Sequence, residues 1–318
     1  MKKLFILILM ILFVVTSTSG VFAKFPERDI RLIVPFSPGG GNDVGCRILA
    51  DIINKYYLDD VTMVVENIVG AGGLRGQTYV ALAEPDGYVL ASLSNSAFTN
   101  PYTKDGCPYL VEDFQTLAVY VYDPEFLIVP EKSPFSDFEQ FIESAKEDEG
   151  VTINTSGSFS LSHITGIMLQ DKIPETNFNY VHTGGGGEQA QQLLGEHVDA
   201  AIMTAGEAYG HLEVGEVKAI ASFSDRRHKV FSDVPTLQEK DIDVVVGAFR
   251  GIGAPANISQ EIKEFYDDLF NKAINNEEFI ERMEELGFPV VYMDSEMFAS
   301  FSQSYVKDFQ DILHLVED

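Results

Sequence analysis

The sequence has no tryptophan, only two cysteines, and 22 lysine plus arginine residues against 49 aspartate plus glutamate. Each scarcity excludes something. Without tryptophan a saccharide ligand loses its best stacking surface and would depend on the 13 tyrosines and 23 phenylalanines. The formal charge of −27 argues against nucleic acid and anionic membranes as partners, because both are held through basic faces. No C-x-x-C pair surrounds Cys46 or Cys107, so metal or redox roles for cysteine lack support. One disulfide between them is open in an oxidising compartment, whereas the apolar helical pattern around Cys46 reads rather as a small buried residue. The histidines at 163, 182, 197, 211, 228 and 314 show no ligand spacing, and no metal site is expected. A G-x-S-x-G elbow and a G-K-[ST] loop are also missing, which removes the common hydrolase and nucleotide-cleaving signatures.

At the N-terminus, Lys2 and Lys3 precede an unbroken apolar run over residues 4–15, and a small, polar stretch ends in Val21-Phe22-Ala23. This is the layout of a secretory signal peptide cleaved near Ala23. Twelve apolar residues fall short of the roughly 20 that a spanning helix needs. No cysteine follows directly, so lipid attachment is not expected. Loss of residues 1–23 would remove Lys2 and Lys3 and leave 20 basic against 49 acidic residues, a charge of −29.

Beyond Lys24, β-branched runs alternate with segments of helical period, the pattern of α/β folds with parallel strands and crossover helices. Strands are expected at 30–34, 62–66, 88–92, 126–129, 151–153, 198–203 and 217–221. Helices are expected at 44–57, capped by Asn42 or Asp43, and at 138–146, 161–170, 188–194, 260–274, 277–286 and 295–315. Two segments read as crossings between lobes: 117–129, broken at Asp123-Pro124, and 243–251. The expected organisation is therefore a signal peptide (1–23), one lobe from 24–124 with 248–318, and a second from 125–247. A mainly parallel sheet would lie in each lobe, with a hinged cleft between them.

Three Gly/Ser-rich segments each follow an expected strand and open an expected helix. The first runs through Phe36, Ser37, Gly39, Gly40, Gly41 and Asp43; the second holds Ser156, Gly157, Ser158, Ser160, Ser162 and His163; the third is Gly184-Gly185-Gly186-Gly187. Glycine admits a ligand close to the backbone, and the free N–H groups of a first helical turn favour an anion. One such turn is explained by geometry alone, but three spread over both lobes suggest a ligand site at the carboxyl ends of strands. Ser94, Asn95 and Ser96 join them, with local turn capping as the alternative, and Thr204 follows another expected strand. His163, adjacent to Ser162, reads as a ligand contact or helix cap, since neighbouring helical residues point apart. Arg250 pairs either with a ligand carboxylate or with an aspartate of the lower hinge. Surface carboxylates beyond a Debye length of about 8 Å are screened, so local amides and hydroxyls decide. With so few cations in the loops, a carboxylate suits them better than a phosphate monoester, which more often recruits arginine.

Around these residues the chain is similar to the substrate-binding proteins of tripartite tricarboxylate transporters, the Bug family. The matching stretches are Ile30-Arg31-Leu32-Ile33-Val34-Pro35-Phe36 with its Gly-rich turn, Val65-Glu66-Asn67 with Gly70-Ala71-Gly72-Gly73, and Pro85-Asp86-Gly87-Tyr88. They continue with Ser160-Leu161-Ser162-His163, Gly185-Gly186-Gly187-Glu188, Val198-Asp199, Asp233-Val234-Pro235-Thr236 and Phe249-Arg250-Gly251 with Ala254-Pro255. The third segment and Phe249-Arg250-Gly251 look closest to the tricarboxylate branch. The resemblance implies a non-enzymatic, monomeric periplasmic protein with two lobes of type II-like topology and no cofactor. It would close on a di- or tricarboxylate such as citrate and deliver it to integral membrane subunits. It also implies that the first turn and the Ser/His segment hold one carboxylate, often through water. Three departures stand out: Phe159 where the family usually has glycine, His182-Thr183-Gly184 in place of a Pro-aromatic-polar run, and Met203 where amino-acid binders tend to place aspartate.

Two other readings stay in view. A sensor adaptor for a membrane receptor kinase would use the same binding chemistry. A nicotinamide-dinucleotide enzyme would use Gly39, Gly41, Gly45 and Glu66, but Val44 occupies the last glycine position of the strict G-x-G-x-x-G fingerprint.

Overall fold

In the computed structural model, which describes residues 25–183 and 186–316, the first lobe begins with three parallel strands. The expected signal peptide and Gly184-Gly185 lie outside the described residues. Strands β1 (Ile30–Val34), β2 (Met63–Asn67) and β3 (Val89–Leu93) pair in the order β2-β1-β3. β1 is apolar on both faces, as a strand covered on both sides must be. Leu32 enters the core beneath helix α1 (Gly41–Tyr56), while the next residue, Ile33, enters the core on the opposite face. α1 buries Cys46, Ile48, Leu49, Ile52 and Ile53 along one stripe. Short helices α2 (Leu74–Ala81) and α3 (Asn95–Thr103) complete this half of the lobe.

The crossing strand β4 (Phe114–Pro130) is 17 residues long and serves two sheets. It comes between α3 and the second lobe, which is built from α4 (Phe138–Ala145), β5 (Val151–Thr155), α5 (Leu161–Lys172), β6 (Phe178–His182) and α6 (Gly186–Leu194). β7 (Ala200–Thr204), α7 (Ala205–Glu213) and β8 (Val217–Ser222) complete it. The return crossing β9 (Gly247–Pro255) leads into α8 (Gln260–Ile274), α9 (Glu277–Glu284), β10 (Val290–Met293) and α10 (Ser295–Val316). Residues 114–124 of β4 pair antiparallel with β9, ending at Pro124 opposite Gly247, and from Glu125 onward the same strand pairs with β7 and β8. The sheets are therefore mixed. Each has a parallel half that was readable from its crossover pattern, and an antiparallel half supplied by the crossings.

The expected break at Asp123-Pro124 does not occur. Proline lacks an N–H and is costly inside a ladder, but here it stands where one sheet hands the strand to the next. Strands β6 and β10 and helices α2, α3 and α7 were not expected either. Gly76, Pro101, Gly206 and Gly210 depress their helical propensity, and tertiary packing overrides it. Helix α10 packs on β4 of the first lobe and on α5 of the second. Its Phe298, Phe301 and Tyr305 surround Phe249 at ring separations of 5.2–5.6 Å. Burial of a ring of this kind is worth about 1.5–3 kcal/mol, so the helix fastens the return crossing. Both cysteines are free: Cys46 lies in the core and Cys107 donates to the Tyr109 carbonyl. Among the described residues no helix is long and apolar enough to cross a membrane.

Candidate functional site

The turn after β1 is organised by Asp43, which is 2 % exposed. Its Oδ2 accepts the Gly39 N–H at 2.9 Å and Arg47 Nε at 3.0 Å, and its Oδ1 accepts Asn67 Nδ2 at 2.8 Å. Burial alone would raise this carboxyl, but Arg47, the Gly39 N–H and Asn67 outweigh it and hold the group below the usual carboxylate range. Asp43 thus faces the chain itself. Neither it nor Asn42 is the N-cap expected from the sequence; that position belongs to Gly40, which offers no side-chain acceptor. The N–H groups at the start of an α-helix have no intrahelical partner, and here they are left open by the cap. Gly39 takes φ +82, a conformation glycine adopts at little cost. Ser37, Gly39 and Gly40 are exposed, and Phe36 packs against the core.

In the second segment Ser160 caps α5 by accepting the His163 N–H at 3.3 Å. Buried Ser162 accepts the Ser156 N–H at 2.9 Å and lies 3.1 Å from the hydroxyls of both Ser156 and Ser160. Gly157 has φ +145, and Phe159, exposed, has φ +58. The Phe159 N–H donates to His163 Nδ1 at 3.1 Å, which leaves the proton of a neutral imidazole on Nε2. Burial, aided by His182, pushes His163 down to about 4. The two imidazoles meet edge to face at 4.6 Å, and His182 Nδ1 lies 2.6 Å from Thr155 Oγ1. Ser158 points to solvent.

The remaining candidates divide between ligand-facing and structural positions. Gly186 and Gly187 open α6, whereas Gly185 lies outside the described residues. A Cβ on Gly186 would fall 3.0 Å from Glu207 Cδ, and one on Gly157 3.8 Å from the Thr183 carbonyl. Thr204 is used as a cap: its Oγ1 accepts the Glu207 N–H at 3.3 Å, and Glu207 Oε2 accepts the Thr204 N–H at 3.4 Å. Ser96 Oγ lies 2.9 Å from the Gln77 amide and 3.5 Å from Ser94 Oγ. Asn95 turns instead to β9, donating to the Gly247 carbonyl and accepting from the Phe249 N–H, both at 3.2 Å.

Arg250 lies at the centre. It is 5 % exposed, its guanidinium stacks 4.4 Å from the Phe288 ring, and a Cβ on Gly41 would come within 2.6 Å of its Nη2. Of the two partners considered in the sequence, it faces a hinge aspartate: Nη1 is 3.6 Å from Asp123 Oδ2. Both Asp123 oxygens accept the Gly206 N–H at the start of α7, at 3.2 and 3.3 Å. Contacts therefore run from Gly41 in the first lobe through Arg250 and Asp123 to Gly206 in the second. Glu207 carries them on to Gly186, and Gly157 meets Thr183. The turns at the carboxyl ends of β1, β6 and β7 are linked in this way, while the turn after β5 meets only the neighbouring Thr183. Two surface hollows, one lined by Lys263, Asp267 and Tyr292 and the other by Asn67, Arg75 and Tyr79, include none of these hinge residues.

Sequence reasoning missed the second acid beside this pair. Glu125 is fully buried, accepts the Thr165 hydroxyl, and is pushed up to about 8 by burial, with Glu207 and Asp123 adding to the rise. Asp123 is pushed up to about 6 by burial, against the pull of Arg250. The signal was two carboxylates flanking Pro124 within an otherwise apolar strand.

With this geometry in place, the model of the tripartite tricarboxylate transporter family receptor matches residues 46–317. The chain belongs to this receptor family. A relative from Cupriavidus necator, the UPF0065 protein in the gbd 5′ region, is 31 % identical over 91 % of this chain and 88 % of its own length. A TctC solute-binding protein from Polaromonas shares 28 % identity over 91 % of this chain and 99 % of that one, with a TM-score of 0.79. The periplasmic binding protein BugD shares 26 % over 92 % and 99 %, with a TM-score of 0.78. MatC from Rhodopseudomonas palustris, solved with bound malate, shares the fold at 24 % identity, covering 92 % of this chain and 100 % of that one, with a TM-score of 0.75. Membership in the receptor family accounts for the two-lobe architecture, and the first lobe's turn and the Ser/His segment are the parts that the family resemblance assigned to ligand.

Proposed function

We propose that this receptor-family chain captures a small di- or tricarboxylate, citrate being one example, outside the cytoplasm and delivers it to the integral membrane subunits of a tripartite transporter. One observation carries the reading: first-turn backbone groups from both lobes converge on the Arg250–Asp123 pair. Basic side chains are otherwise few among them. Ser37, the Gly39–Gly41 backbone, the Ser156–Ser162 hydroxyls and Gly186–Gly187 would surround the ligand, with bridging water where side chains do not reach. The hand-over of β4 between sheets at Pro124 and Glu125, opposite Gly247, supports lobes that divide at 124/125 and 247/248. Rotation there would close the cleft and shift an open population to a closed one. The protein would act as a monomer, without cofactor or chemistry of its own.

The test is a thermal-shift and calorimetric panel of malate, citrate, succinate and adipate, with a neutral sugar and a divalent cation as controls. A ligand at 100 times its dissociation constant adds about 2.7 kcal/mol of stability, which is several degrees for a protein of this size. Response to a carboxylate supports the reading. Silence toward all four, with a response to the sugar or the cation, overturns it.

A further inference from the structure

Arg250 is buried without its hydrogen bonds. Its Nε and Nη1 have no partner, and Asp123 at 3.6 Å is beyond hydrogen-bond reach. The guanidinium instead lies behind the first turn of α1, a 16-residue helix whose Gly40 cap presents no acceptor. The positive end of a helix dipole and a guanidinium thus share one spot, an arrangement that an anion in front of the turn would complete. Asp123 is only half committed to Arg250, since both its oxygens take the Gly206 N–H.

We infer that Asp123 and the bound carboxylate compete for the Arg250 charge, so that this hinge pair sets how tightly the cleft holds an anion. The inference rests on the carboxylate reading above. Neutral Asp123 leaves the Arg250 charge to the ligand; ionised Asp123 draws part of it away. The groups facing Asp123 are Arg250 from β9, the Gly206 N–H, Thr204 and Glu207 from the β7–α7 turn, and Glu125 on its own strand. With Asp123 pushed up to about 6 by burial, anion affinity is expected to rise as pH falls from about 8 toward that value. Competition of this kind is a coupling between two sites for one charge.

The experiment titrates wild type, Asp123→Asn and Arg250→Met with malate, adipate and citrate by calorimetry at constant ionic strength, and melts each protein without ligand. Asp123→Asn is expected to bind about fivefold tighter than wild type at about pH 8 and to lose the pH dependence, and Arg250→Met to bind at least about tenfold weaker. A merely structural pair would lower the melting temperature in both variants and weaken binding in both. Unchanged or weaker binding by Asp123→Asn, or unchanged binding by Arg250→Met, overturns the inference while the carboxylate reading stands. Absence of wild-type binding to all three probes and to succinate, with a response to the sugar or the cation, overturns both. If Arg250→Met does not fold, Asp123→Asn and the wild-type pH profile still decide.

Discussion

Asn95 grips the strand that carries Arg250: its carboxamide donates to the Gly247 carbonyl and accepts from the Phe249 N–H, each at 3.2 Å. Two backbone groups on either side of Ala248 are thereby satisfied from a helix of the first lobe. Replacing Asn95 with alanine leaves both without this partner, and the expected cost is about 1–3 kcal/mol in urea unfolding. Asn95→Asp should be worse at about pH 8 than at about pH 5, because an ionised carboxylate would face the Gly247 carbonyl. Equal loss at both pH values would mean that the side chain swings away.

Phe159 holds φ +58 with an exposed ring. Left-handed backbone costs a non-glycine residue roughly 1–2 kcal/mol, while glycine gives part of that back through the entropy of its unfolded state. Phe159→Gly is expected to stabilise by up to about 1 kcal/mol, and Phe159→Val to destabilise, both read from denaturant midpoints. Destabilisation by Phe159→Gly relative to wild type would show that the ring's packing on His163 outweighs the backbone term.

Glu125 should shape the pH profile of stability. Its folded value near 8 lies above the ordinary carboxylate value, so the native state binds this proton more tightly than the unfolded chain does. Its contribution is therefore full below the ordinary value and is lost as pH rises toward about 8. Asp123 acts with the same sign up to about 6, and His163, pushed down to about 4, acts oppositely on the acid side. Glu125→Gln is expected to match wild type at about pH 5 and exceed it at about pH 8.5. Parallel stability curves for the two proteins would remove Glu125 as the cause.

Gly41 and Gly187 make a matched pair. A methyl group at Gly41 meets Arg250 Nη2 at 2.6 Å, whereas one at Gly187 meets nothing within 4 Å. Gly41→Ala is expected to displace the guanidinium, weaken carboxylate binding at least about tenfold, and cost about 1–3 kcal/mol of stability. Gly187→Ala should leave stability within about 0.5 kcal/mol. Calorimetry and melting of both variants check this, and equal affinities would detach Arg250 from the cleft.

The sequence displayed most of its strands and its glycine turns plainly because their signals are local. Ile30–Val34 is apolar except at Arg31, and the loops at 36–43 and 156–163 announce themselves by Gly and Ser. Direction is what a string of letters omits. Asp43 was expected to face a ligand and instead closes its own turn, Asn95 turns to β9, and Thr204 caps α7. The last was readable in principle, since Thr204 followed by Glu207 is a capping-box spacing. Asp123 and Glu125 carried weaker clues. Their burial follows from two sheets meeting at Pro124, a long-range event that no window of neighbouring residues encodes.

One strand completes both sheets, and this ties the fates of the two cores together. Melting either half strips a central strand from the other, so heat or denaturant should dismantle both in a single cooperative step. A nick anywhere along residues 114–130 would leave two incomplete fragments rather than two separable modules.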